Sequence, residues 1–78
     1  MAEVKWGLRN HVRRVRNFVR NHIGDRVLVG LFDGTLLRGR ILSAGNNSFR
    51  LRVRQRGLRV VVVIPFVRVR FIRLIERR

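Results

Sequence analysis

The chain has 78 residues, with 19 Lys and Arg against 4 Asp and Glu, a net charge of +15 and no cysteine. That length allows one small domain. The missing cysteine excludes a disulfide scaffold and a thiolate metal site, and a hydrophobic content of 46% separates the chain from a disordered basic tail. The longest apolar run, Val60 to Val67 with Pro65 counted, is far short of the ~20 residues of a membrane span. The first ten residues carry no apolar core of the secretory kind, so a cytoplasmic protein without a membrane partner is expected.

Catalytic groups are scarce. The acids are Glu3, Asp25, Asp33 and Glu76; His11 and His22 match no usual metal spacing; Ser43 and Ser48 sit in no glycine-flanked elbow. No enzyme, cofactor or small-molecule substrate is expected. The charge points elsewhere. Fifteen net positive charges on so small a body repel one another, and a polyanion is the usual relief. All but one of the basic residues are Arg, the exception being Lys5. Arg binds phosphate bidentately and stacks on bases, where Lys acts as a point charge. A GC-rich or heat-adapted source also raises Arg over Lys, but it leaves the shortage of acids unexplained.

Residues 3–23 read as a helix. Val4, Leu8, Val12, Val15, Phe18 and Val19 recur at three and four, Ile23 continues the stripe, and Arg9, Arg13, Arg14, Arg16 and Arg20 occupy the other faces. Glu3 suits the positive end of the dipole, and Gly24 is a stop in the left-handed conformation. From residue 26 the period becomes two. Arg26–Phe32 is a first strand, and Asp33-Gly34 a primed hairpin turn with positive φ at both residues. Leu36–Ala44 is a second strand, bulged or sharply bent at Gly39. After the turn 45–48, Phe49–Arg54 alternates, with Phe49, Leu51 and Val53 inward and Arg50, Arg52 and Arg54 outward. A turn at 55–57 leads to a fourth strand, Leu58–Ile64, ended by Pro65. A short turn and a last strand, about Arg70–Ile75, leave residues 76–78 as a basic tail.

The expected fold is mainly β: an N-terminal helix (3–23), then a five-stranded, strongly bent antiparallel barrel of the SH3 type (26–75), in a single domain 1–78. The fourth strand is apolar on both faces, so a neighbouring copy is expected to cover it. Pairing of the fourth strand of one subunit with the fifth of the next gives a head-to-tail homo-oligomeric ring.

This plan, with Gly24, Val27, Val29, Leu31, Asp33-Gly34, Gly39, Ile41 and Leu51, resembles the first motif of Sm-like proteins over residues 4–75. The short connection at Gln55–Gly57 is similar to that of the bacterial Hfq branch. The resemblance implies an RNA-binding ring. It also marks departures. The family's base-holding Asp-x-x-x-Asn falls on Gly45 and Phe49, and the second Sm motif and the Tyr-Lys-His of Hfq are replaced by Val62-Val63-Ile64-Pro65-Phe66. The Ile-Pro segment resembles small Sm-like proteins of endospore-forming bacteria and the barrel domain of small-conductance mechanosensitive channels. The missing membrane segments set the channel aside.

The candidate nucleic-acid contacts follow. Arg50, Arg52 and Arg54 form a phosphate-tracking ladder, the alternative being a solvated sheet face. Arg68, Arg70 and Arg73, with Arg38 and Arg40, are more scattered. Phe66 stacks on a base or fills the core, and Trp6 reads as packing. Asn46 and Asn47 bond base edges or only shape the turn. Arg13, Arg14 and Arg16 form a lateral patch, placed as the basic rim of Hfq is placed. Three functions stay open: a non-catalytic ring binding RNA or DNA through Arg–phosphate contacts, a small ribosomal or ribonucleoprotein component, and a ring scaffold with no RNA role.

Overall fold

A computed structural model describes the backbone of residues 2–78 and the side chains from Asn10 onward. The expectations for Glu3, Val4, Trp6 and Leu8 lie outside the described side chains. Helix α1 spans Ala2–Asn21, followed by β1 (Arg26–Leu31), β2 (Leu36–Ala44), β3 (Ser48–Gln55), β4 (Leu58–Pro65), a 3-10 turn at Phe66–Arg68 and β5 (Val69–Glu76). The strands form one antiparallel sheet in the order β4-β3-β2-β1-β5.

Alternation in β3 decides which face is inside. Phe49, Leu51 and Val53 are buried, and their cross-strand partners Ile64 and Ile41 are buried with them. Val27, Val29 and Val69 complete the sheet's share of the core. Val15 and Val19 of α1 close it, with Val12 and Phe18 packed alongside, which is the apolar stripe read from the sequence. Ile23, expected to extend that stripe, is 37% exposed, because the chain has already left the helix at His22–Gly24. His11 Nε2 bonds the Val69 carbonyl oxygen at 2.7 Å and so ties the helix to the start of β5.

The turns are fixed by a few backbone requirements. Gly24 has φ +90 and ends the helical segment as expected, and its N–H donates to the Ile41 carbonyl at 2.8 Å. At Asp33-Gly34 the expectation is corrected: only Gly34 has positive φ. Gly34 N–H bonds Leu31 O at 3.0 Å and Leu31 N–H bonds Thr35 O at 2.9 Å, the pattern of a three-residue loop with a glycine bulge. Asp33 Oδ1 accepts from the Thr35 N–H at 2.9 Å, which favours its charged form and lowers its pKa. The two-residue turn with both residues at positive φ is instead Arg56-Gly57, at φ 51 and 80.

The bend at Gly39 sets the overall shape. A Cβ there would overlap the Arg52 carbonyl oxygen, so β2 and β3 touch backbone to backbone as the sheet turns over itself. Gly30 is also crowded, but by the edge of the Phe71 ring. Gly39→Ala is expected to cost about 3 kcal/mol or more, since backbone must move, and Gly30→Ala less, since the half-buried Phe71 can turn aside; denaturant unfolding of both variants checks the order. Arg56→Gly removes a left-handed non-glycine residue and is expected to raise stability by about 1 kcal/mol, read as a higher denaturation midpoint.

Candidate nucleic-acid interface

Directly opposed residues in an antiparallel pair share a face. The register therefore assembles the outer face residue by residue. Arg26 of β1 stands opposite Arg40 of β2, and Arg40 opposite Arg52 of β3. Arg54 of β3 stands opposite Arg59 of β4, and Arg50 opposite Val63. Arg38 faces Leu28, which on its other side faces Arg73. The ladder Arg50, Arg52 and Arg54 is thus one column of a lattice that crosses the sheet. Arg38, Arg40 and Arg73, read from the sequence as scattered, belong to it. Arg26 and Arg59 were missed, because only the register places them beside the others: Arg59 across the β3–β4 pair, and Arg26 through Arg40, past the shift between Ile41 and Ser43.

Neutralising partners are few. Among the described residues the one ion pair is Arg68 with Asp33, at 3.6 Å and exposed on both sides. Arg40 Nη1 donates to the Gly24 carbonyl at 2.6 Å, which fixes the side chain but leaves its charge uncompensated. Two unit charges ~7 Å apart repel by about 0.6 kcal/mol in bulk water and about 2 kcal/mol at an effective dielectric of ~20. Repeated across three strands, that is a standing cost to the folded chain.

The remaining candidates lie elsewhere. Arg68 and Arg70 sit at the other end of β1, where the 3-10 turn meets β5. Asn46 and Asn47 are exposed in the β2–β3 loop. Arg16 Nη1 reaches the Asn46 carbonyl and Arg20 Nη2 its Oδ1, both at 3.4 Å. Arg16 and Arg20 thus join the loop, while Arg13 and Arg14 do not. At about 100° per residue Arg14 and Arg16 leave opposite flanks of the helix, so Arg13, Arg14 and Arg16 form no single lateral patch. Of the two readings of Phe66, the structure shows the core one. Phe66 is 1% exposed and stacked on Phe49 with centroids 5.7 Å apart, so no ring face is open to a base. Its N–H donates to the Asn47 carbonyl at 2.9 Å, tying the β2–β3 loop to the end of β4.

Among the described residues, no three His, Cys, Asp or Glu side chains come together as a metal site, and no helix is long and apolar enough to cross a membrane.

A helix followed by five antiparallel strands in one bent sheet, sharply bent at a second-strand glycine, is the Sm fold. No protein-family model matches the chain, and no curated protein matches it. Solved structures match. A heptameric archaeal Sm protein is 24% identical, with 76% of this chain and 97% of that one covered and a TM-score of 0.57. The SmAP1 heptamer of P. aerophilum is likewise 24% identical, over 76% of this chain and 89% of that one, also with a TM-score of 0.57.

Phe66→Ala is expected to destabilise the fold by about 3–5 kcal/mol. Oligonucleotide affinity measured well below the unfolding temperature should stay unchanged; a drop there, with the fold intact by circular dichroism, would return Phe66 to the contact surface.

Proposed function

We propose that the chain is a non-catalytic, Sm-like ring subunit that binds RNA through Arg–phosphate contacts. The observation that carries this reading is the in-register row Arg26–Arg40–Arg52, like charges held side by side, with a single acid, Glu76 of β5, opposite Arg26 at the end of the row. Phosphate is the partner that suits such a surface, because each contact also releases a condensed counterion. Arg50 and Arg54 extend the row along β3, and Asn46 with Arg16 and Arg20 offers a second contact at the β2–β3 loop.

The ring rests on the sheet edges. Strands β4 and β5, eight residues each, stand at the two ends of the strand order. On β4, Leu58 is 70%, Val61 51% and Val63 58% exposed. An apolar edge of that length invites pairing, and a second copy offering β5 covers it. The heptameric state of the structural neighbours supports the same arrangement. A component fixed in place by ribosomal RNA leaves both edges without an explanation.

Titration with oligouridine at several salt concentrations should give a log–log slope of about −0.7 for each phosphate engaged. Arg50→Gln should reduce that slope by about one contact. Binding indifferent to salt would exclude the mechanism. Native mass spectrometry of the protein freed of nucleic acid should give a multiple of the 9.3 kDa chain; a monomer alone would remove the ring.

A further inference from the structure

Six arginines line a single groove of about 350 Å³ on the outer face of the sheet: Arg26, Arg38, Arg40, Arg52, Arg54 and Arg59. They come from four strands, and no acidic side chain lines the groove with them. Arg40 and Arg52 are half-buried, and Arg40 is held in place by its bond to the Gly24 carbonyl. Between them the lining is backbone at Gly39, where the close passage of β2 over β3 leaves no room for a side chain. The other four arginines are exposed. The groove therefore has one anchored cation, Arg40, a second half-buried cation, Arg52, four exposed cations around them, and a volume in the ~300–1,000 Å³ range of small-molecule sites.

Charge density selects the ligand. A phosphodiester strand carries one negative charge per nucleotide, and a groove this size takes the phosphates of one or two nucleotides. Most of the guanidinium charge is then left unmatched. Directly linked phosphates place several charges in the same space and offer many oxygens to bidentate guanidinium forks. We propose that this groove binds a chain of three or more linked phosphates, as found in inorganic polyphosphate, a nucleoside triphosphate or the 5′-triphosphate end of an RNA. The proposal shares arginines with the RNA reading but does not depend on it.

The test is calorimetric titration of the full chain, freed of nucleic acid, with tripolyphosphate and orthophosphate at one fixed, near-physiological ionic strength. The expected result is one tripolyphosphate per chain, bound about 100-fold more tightly than orthophosphate because linked groups bind as a unit. The double variant Arg26→Gln, Arg59→Gln touches only exposed side chains and should fold. It should weaken tripolyphosphate binding about tenfold or more through lost charge-assisted hydrogen bonds. The helix variant Arg13→Gln, Arg14→Gln removes the same charge and should change the affinity less than about twofold, since screening confines distant charges. Equal weakening by the two variants, no preference over orthophosphate, or no binding would each overturn the proposal.

Adenosine triphosphate and oligouridines ending in a 5′-triphosphate or a 5′-hydroxyl separate the sources. Strong binding of the nucleotide supports free triphosphates as the ligand, and a preference confined to the triphosphate-ended RNA supports the RNA end. Oligouridine binding without tripolyphosphate binding removes the groove's ligand and leaves the RNA reading in place; the reverse result does the opposite.

Discussion

The constraint that shapes this molecule is repulsion between guanidinium groups locked into neighbouring strands. Arg26, Arg40 and Arg52 cannot move apart without breaking the pairing of β1, β2 and β3. That pairing is in turn held by the buried side chains on the opposite face, Val27, Ile41 and Leu51 among them. Core and charge are thus two sides of one register. The same alternation that buries an apolar residue presents an arginine to solvent one position along, and a one-residue slip would exchange the two faces. The chain can keep its core only by accepting the crowded charge. On the proposed reading, an anion laid on the outer face turns this cost into binding free energy.

The sheet edges bring in the second half of the argument. In the proposed ring, closure through β4 and β5 pairs the free edge of β4 but also repeats each arginine face around the axis. Assembly and charge therefore oppose each other in the absence of a ligand and cooperate in its presence. A phosphate polymer spanning neighbouring subunits lowers the repulsion at the moment the edges meet, and an assembled ring raises the local density of cations that the polymer meets. On the proposed reading, ring formation and anion binding are linked equilibria, each favouring the other by the same factor.

The fold was legible because its signals are local. Period-two alternation in 49–54, glycine in the middle of β2 and proline at the end of β4 each specify a backbone state within a few residues. The β2 limits Leu36–Ala44 follow directly from those signals. The turn at Asp33-Gly34 was legible only as a turn. Whether one or both of its residues take positive φ depends on how the two strands register, and the structure uses a three-residue loop with a glycine bulge. The arginine face was half legible for the same reason. Arg50, Arg52 and Arg54 share a strand and reveal themselves by spacing, whereas Arg59 becomes their neighbour through the β3–β4 pairing and Arg26 only through β2, past the shift between Ile41 and Ser43. An Arg on another strand carries no mark in the sequence that says which face it joins.

Phe49 and Phe66 bear most directly on what the chain recognises. The resemblance to Sm-like proteins places an amide for base recognition where this chain has Phe49, and Phe49 is 1% exposed, stacked on an equally buried Phe66. A position that serves base contact in the resembled motif has here become core. The partner position, Gly45, has no side chain, and its N–H is used by Ser48 O at 2.8 Å. What the β2–β3 loop still offers is Asn46, whose carbonyl groups are met by Arg16 and Arg20. The β2–β3 loop is thus backed by apolar packing at Phe49 and Phe66, while the outer sheet face carries the crowded arginines. On the proposed reading, both features favour attraction to phosphate over discrimination among bases, since phosphate contacts position a ligand without reading its sequence.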